Sequence, residues 1–225
     1  MYNKIKNWIR NRIFSYIFFK RKSLKNVFNF IYSNNYWLSQ ESKSWPWSDK
    51  SATKHIKKEI SRVITKYNIK SILDLPCGDC NWIEPDKLGI KYIGGDIVEW
   101  LVIENIKKFR GEIYFQTLDI TTDELPSVDM ILCRECLQHL SYKNIKLALR
   151  NIKKSQIRYL LTTSCPNGKN KNIENGLCFA INLEDKPFSL WKPIEEIEEI
   201  ESNEKQQKTN NKKQYLYLYN LQDFT

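Results

Sequence analysis

The sequence predicts an α/β domain built on a doubly wound, mostly parallel sheet, and three observations carry that expectation. Short apolar runs alternate with stretches of helical period over 72–164, a pattern that places helices on both faces of a parallel sheet. An apolar run, Ile72-Leu73-Asp74-Leu75, ends in Pro76-Cys77-Gly78, where proline stops the strand ladder and glycine lets the backbone come close to a ligand. A second acid, Asp96, ends the next apolar run 22 positions after Asp74, the spacing of a nucleotide-binding βαβ unit whose second carboxylate reaches a ribose.

Taken in order, 1–32 mixes bulky apolar and basic residues and reads as one or two basic amphipathic helices, followed by a polar linker to about residue 40. Trp45-Pro46-Trp47-Ser48 reads as a lid segment. A helix over 50–67 follows, with Ile56, Ile60, Val63 and Ile64 on one face; Ser48 and Thr53 are candidate cofactor contacts, with a helix cap as the alternative for Ser48. The remaining elements are strand 72–75, helix 80–86, strand 91–95, helix 98–108, strand 113–118, strand 129–133, helix 142–153 and strand 157–164. A long loop from 166 to 192, punctuated by Gly168, Gly176 and Pro187, is the expected place for acceptor recognition. Ile194, Ile197 and Ile200 have a helix-like spacing, whereas Tyr215-Leu216-Tyr217-Leu218-Tyr219 alternates like a strand.

The glycine loop lacks a dinucleotide fingerprint. The three glycine places of G-x-G-x-x-G hold Pro76, Gly78 and Asn81, so bare backbone is not offered to a pyrophosphate. Asp79 puts a carboxylate near where that pyrophosphate would lie. That charge repels a phosphate but attracts a ligand with an ammonium and a sulfonium, and S-adenosylmethionine (SAM) is such a ligand.

Four blocks in order, 72–82, 92–98, Leu118-Asp119-Ile120-Thr121 and Ile131-Leu132-Cys133-Arg134-Glu135-Cys136-Leu137-Gln138-His139-Leu140-Ser141, resemble successive motifs of the class I SAM-dependent methyltransferases. More narrowly, the chain is similar to a group of small bacterial and large-virus methyltransferases with L-D-x-P-C-G-D-x-N-W and C-R-D-C-L-x-H-L-S blocks. The resemblance implies a Rossmann-like sheet of about seven strands with an antiparallel C-terminal hairpin. It also implies a catalytic domain over 41–225 behind an extension over 1–40.

For the cofactor, the resemblance implies that Asp74, Pro76, Gly78, Asp79 and Trp82 surround SAM in the first loop, that Asp96 and Ile97 meet the ribose, that Asp119 and Ile120 meet the adenine, and that Cys133 lies beside it. Arg134, Glu135 and His139 follow the fourth strand and are the expected catalytic group, with either His139 or Glu135 as base. Glu135 stands where the narrower motif has aspartate. Cys77 with Cys80 and Cys133 with Cys136 have C-x-x-C spacing, readable as a four-thiolate zinc site or as small buried side chains beside the cofactor, and no metal is expected.

The chain's 225 residues suffice for one sizeable core, and its charge is unevenly spread. Of a net +10, eight positive charges fall in 1–32 with no acid among them, leaving 28 basic against 26 acidic residues elsewhere. A nearly neutral body argues against a nucleic-acid channel across it. The basic arm is open to packing on the domain or on a protein partner, lying on a membrane surface, or touching nucleic acid. No apolar run approaches the ~18–20 residues that span a bilayer, so a cytoplasmic enzyme is expected, in the host cytoplasm or virion if viral, with reduced cysteines.

The activity expected from the resemblance is O-methylation of a small-molecule or glycan acceptor. An RNA or cap methyltransferase using the basic arm, and a non-catalytic scaffold on the same fold, are the competing expectations.

Overall fold

A computed structural model describes residues 18–37, 41–44, 48–199 and 213–223. Its centre is a seven-stranded sheet of β1 (Ser71–Asp74), β2 (Lys91–Asp96), β3 (Tyr114–Thr117), β4 (Met130–Cys133), β5 (Tyr159–Ser164), β6 (Glu195–Glu198) and β7 (Tyr215–Asn220), in the order 3-2-1-4-5-7-6. The first five strands pair in parallel, and β7 runs antiparallel to both β5 and β6. The expected sheet and terminal hairpin are both present, and the three-residue isoleucine spacing belongs to a strand, with Ile197 buried in β6.

Four helices are described: α1 (Leu24–Ser33), α2 (Lys50–Lys66), α3 (Glu99–Lys108) and α4 (Tyr142–Lys154). The central strands β1, β4 and β5 are buried on both faces, as a sheet covered on both sides requires, whereas edge strand β3 leaves Tyr114 exposed. On one face Leu73, Ile131, Leu160 and Tyr217 pack with Ile145, Ala148 and Ile152 of α4. On the other, Ile72, Leu132, Leu161 and Leu218 pack with Ile56, Ile60, Val63 and Ile64, the stripe expected on α2. Ser23 caps α1, its hydroxyl accepting from the Asn26 N–H at 3.3 Å.

The segment after β1 corrects the expected helix over 80–86. Cys80 takes a left-handed backbone (φ 47°), and Pro85 opens only a 3-10 turn, Pro85–Lys87. A non-glycine residue at positive φ and a proline five residues on leave no room for helical hydrogen bonding between them.

The long loop after β5 has no helix or strand over 166–192 but is tied down by amide side chains. Asn170 Nδ2 donates to the carbonyls of Asn182 (2.7 Å) and Lys186 (2.8 Å), and Asn182 Nδ2 donates to Pro166 O (2.8 Å). Ile181 and Leu183 are buried beneath it. The Gly176 N–H donates to His139 O at 2.7 Å and the Phe179 N–H to Gln138 O at 3.2 Å, which seats the loop against the turn after β4.

Candidate functional site

Strand order reverses between β1 and β4, and a cleft opens at the carboxyl ends of β1, β2 and β4, where ligands bind open α/β sheets. It holds about 840 Å³ of free space, part of it open to solvent. Its roof is α1: Leu24, Phe28 and Tyr32 lie one helical turn apart and all line the cleft, with Trp37 beyond them. The adjoining stripe of α1, Val27 and Ile31, is buried against Phe19.

The floor is the turn after β1. Gly78 has φ 55°, and a Cβ there would stand 2.3 Å from Ser44 Oγ. Both the conformation and the close approach demand glycine. The Gly78 N–H donates to Asp96 Oδ2 at 3.0 Å and the Val98 N–H to Asp96 Oδ1 at 2.9 Å, so two backbone donors orient a carboxylate at the end of β2. Burial nevertheless raises the Asp96 carboxyl to about 6, those hydrogen bonds opposing the rise. Each oxygen keeps a lone pair beyond the backbone contact, which suits a diol.

Asp79 does different work. It accepts from the Lys43 N–H (2.7 Å) and from Ser42 Oγ (3.0 Å and 3.1 Å), pinning 42–44 above Gly78, and it does not line the cleft. At the far end, Asp119 Oδ1 accepts both the Thr121 N–H (2.8 Å) and its hydroxyl (2.6 Å), a turn that fixes the carboxylate and spares Oδ2 beside Ile97, Leu118 and Ile120.

After β4 the chain turns sharply at Glu135, a non-glycine residue at φ 53°, and the Glu135 N–H donates to Thr163 Oγ1 at 2.9 Å. Gln138 Nε2 donates to Glu135 Oε2 at 2.7 Å, and Gln214 Nε2 donates to Oε1. Burial, with Glu199 nearby, raises the Glu135 carboxyl to about 7 despite Arg134. Arg134 Nη2 is 2.6 Å from Glu199 Oε2, both side chains being buried, and the guanidinium lies 5.1 Å from the centre of the Trp82 ring. Asp74 accepts from the Tyr92 hydroxyl at 2.7 Å and is raised by burial to about 7.

Ten of the thirteen expected site residues line this one cleft: Asp74, Pro76, Gly78, Trp82, Asp96, Ile97, Asp119, Ile120, Arg134 and Glu135. The exceptions are Asp79, Cys133 and His139. Cys133 is fully buried inside β4, and Cys136, three residues past the end of that strand, lines the cleft instead. His139 is 1% exposed, stacks on Trp37 with ring centroids 5.1 Å apart, and has Nδ1 3.0 Å from Leu177 O. Burial lowers its imidazole to about 4.

Ser48 lines the cleft, whereas Thr53 does not: its hydroxyl donates back to the Asp49 carbonyl at 3.0 Å, one turn earlier in the helix. Trp45 to Trp47, and 1–17 of the basic arm, lie outside the described residues.

Sequence reasoning missed the roof and the hairpin's contribution. The roof had a signal in the Leu24, Phe28, Tyr32 spacing. Glu199 and Gln214 had none: one ends an acid-rich run and the other stands in a polar stretch, and only the β6–β7 pairing, with the Glu199 N–H donating to Gln214 O at 2.9 Å, delivers both to the end of β4.

The sequence matches no protein-family model and no curated protein. Among solved structures, the fold aligns with magnesium protoporphyrin IX methyltransferase from Synechocystis, crystallised with bound SAM, over 89% of this chain and 99% of that one, at TM-score 0.62 and 11% identity. It aligns with a SAM-dependent methyltransferase from Clostridium acetobutylicum over 74% and 92% of the two chains (TM-score 0.53, 15% identity). The alignment with TehB from Haemophilus influenzae covers 72% of this chain and 61% of TehB (TM-score 0.53, 18% identity). At such identities the likeness is one of fold.

Proposed function

We propose that this chain is a SAM-dependent methyltransferase that O-methylates a small-molecule or glycan acceptor. The observation that carries the reading is the cleft's donor set at the switch point: Asp96 held by two backbone N–H groups at the end of β2, Gly78 in left-handed conformation beside it, and Asp119 fixed by its own turn. Two of the aligned structures are named as methyltransferases using or holding SAM, which supports the same ligand.

SAM supplies an electrophilic methyl group on a sulfonium. Asp96 would accept the ribose hydroxyls, Asp119 and Ile120 would flank the adenine, and the acidic floor of Asp74 would favour the cationic methionine end. Phe28, Tyr32 and Trp37 would exclude water from above. Arg134 and Trp82 wall the other end, where an acceptor hydroxyl would sit near Glu135. In this reading Glu135 takes the proton from the acceptor, since burial raises its carboxyl toward neutrality and it lines the cleft, which His139 does not.

The test is calorimetric titration of the full chain with SAM. Binding is expected, and Asp96→Ala should weaken it about 10- to 100-fold, the cost of a charged hydrogen-bond acceptor at about 1.5–3 kcal/mol. Wild-type protein that fails to bind SAM would overturn the reading.

A further inference from the structure

The charge balance of the cleft bears on what the acceptor can be. The whole chain carries +10, yet the described lining residues include four carboxylates, Asp74, Asp96, Asp119 and Glu135, and one cation, Arg134. That cation is committed. Its Nη2 lies 2.6 Å from Glu199 Oε2, inside the protein, and its charge also falls on Glu135 and Asp74. Glu199 Oε1 is buried with no hydrogen-bond partner among the described residues, so the pair carries no surplus of positive charge.

A carboxylate, phosphate or sulfate entering the Glu135 end would therefore meet carboxylates whose only counter-charge among the described lining residues is already taken, and a buried ion pair cannot open without stranding a charge. A hydroxyl or an amine meets the opposite situation, with acceptor oxygens awaiting a donor.

We propose that the reacting end of the methyl acceptor carries no negative charge, which for the O-methylation proposed above means a hydroxyl and not a carboxylate, phosphate or sulfate, and that Glu199 sets this specificity by neutralising Arg134. Glu199 does not line the cleft; it is a positioning residue delivered by the C-terminal hairpin, one strand pairing away from Gln214, which holds Glu135. This deepens the methyltransferase reading and rests on it.

The experiment uses the full chain saturated with S-adenosylhomocysteine (SAH), titrated calorimetrically with benzylamine, benzyl alcohol and benzoate as matched probes. Wild type should bind benzylamine or benzyl alcohol at least about tenfold more tightly than benzoate, and Glu199→Gln should gain about tenfold in benzoate affinity as Arg134 is released. Wild type that binds benzoate no worse than the other two overturns the proposal, as does a folded Glu199→Gln that retains SAH and shows no benzoate gain. If that variant does not fold, the wild-type ratio decides by itself. Wild type that fails to bind SAH overturns the methyltransferase reading and this proposal with it, whereas SAH binding without the probe preference overturns this proposal alone.

Discussion

His139 and Trp37 stack face to tilted face, 5.1 Å between ring centroids, so the histidine after β4 is clamped to the segment that follows α1. Its other contact, Nδ1 to Leu177 O at 3.0 Å, reaches the long loop. One imidazole thus ties roof, sheet turn and loop together. A base with a carboxyl-like value of about 4 would also be a poor proton acceptor near neutral pH. His139→Ala is expected to cost about 1–3 kcal/mol of stability, through a lost hydrogen bond and a cavity, read as a lower denaturant midpoint. Because the imidazole's folded value lies below its ordinary 6.5, its contribution is complete above that pH and is lost as pH falls through about 4. An unchanged midpoint would return His139 to the reacting groups.

Gly78→Ala tests the floor. The new Cβ would need φ 55° and would stand 2.3 Å from Ser44 Oγ, in a segment that Asp79 holds by the Lys43 N–H at 2.7 Å. Positive φ alone costs on the order of 1 kcal/mol, and displacing Ser44 disturbs the cleft wall. A fall of roughly tenfold in SAM affinity is expected by calorimetry. Affinity equal to wild type would show that the 42–44 segment yields freely.

The pH dependence of binding should separate SAM from its demethylated product. Asp96 near 6, with Asp74 and Glu135 near 7, sit above ordinary carboxyl values because burial disfavours their charged forms. Their contribution to the stability of the free protein is therefore complete below the ordinary carboxyl range and is lost as pH rises through 6 to 7. A sulfonium reverses that penalty by pairing with the ionised groups. SAM affinity should rise about tenfold or more between pH 5.5 and pH 8, with a clearly smaller rise for SAH, which lacks the sulfonium charge. Parallel pH curves for the two ligands would mean that the carboxylates do not face the sulfur.

The roof offers a test of the helix that sequence reasoning placed in the extension ahead of the catalytic domain. Phe28 lines the cleft one turn from both Leu24 and Tyr32, so Phe28→Ala should weaken SAM binding about tenfold through lost apolar contact. Affinity within twofold of wild type would confine α1 to a structural role.

What was legible in the sequence follows from local signals. Apolar runs marked the parallel strands, alternation marked β7 and a period-3.6 stripe marked α2, whereas the period at β6 pointed to helix and only the resemblance implied its strand. Residues within the strand-end motifs, Asp74 to Trp82 and Asp119 to Glu135, fall into one cleft because each motif ends a parallel strand of one sheet. The helix over 80–86 was expected from the alternation of strands and helices, and the left-handed Cys80 that prevents it is invisible to such a pattern. Asp79 was placed against the ligand by its motif position, although it turns to the 42–44 segment. Glu199 and Gln214 depend on pairing across the sheet, which no local pattern encodes.

The sharpest prediction concerns Glu135. Its carboxylate is held on both oxygens, by Gln138 Nε2 at 2.7 Å and by Gln214 Nε2, and its backbone N–H is fixed on Thr163 Oγ1 at 2.9 Å. A strained turn anchored at three points keeps one acid at the cleft with its proton affinity near 7, where it can take a proton from a hydroxyl and release it to solvent. Glu135→Gln keeps the shape but cannot accept that proton, so turnover should fall by about 10²–10⁴ with SAM affinity changed only a few-fold. The wild-type rate should lose activity as pH drops through about 7, and the variant should lose that acid limb. Gln214→Ala supplies the control on cause: removing one donor to the ionised form should move the limb to higher pH without abolishing turnover. A Glu135→Gln enzyme with wild-type turnover would show that alignment alone drives the reaction and that no side chain of this turn takes the proton.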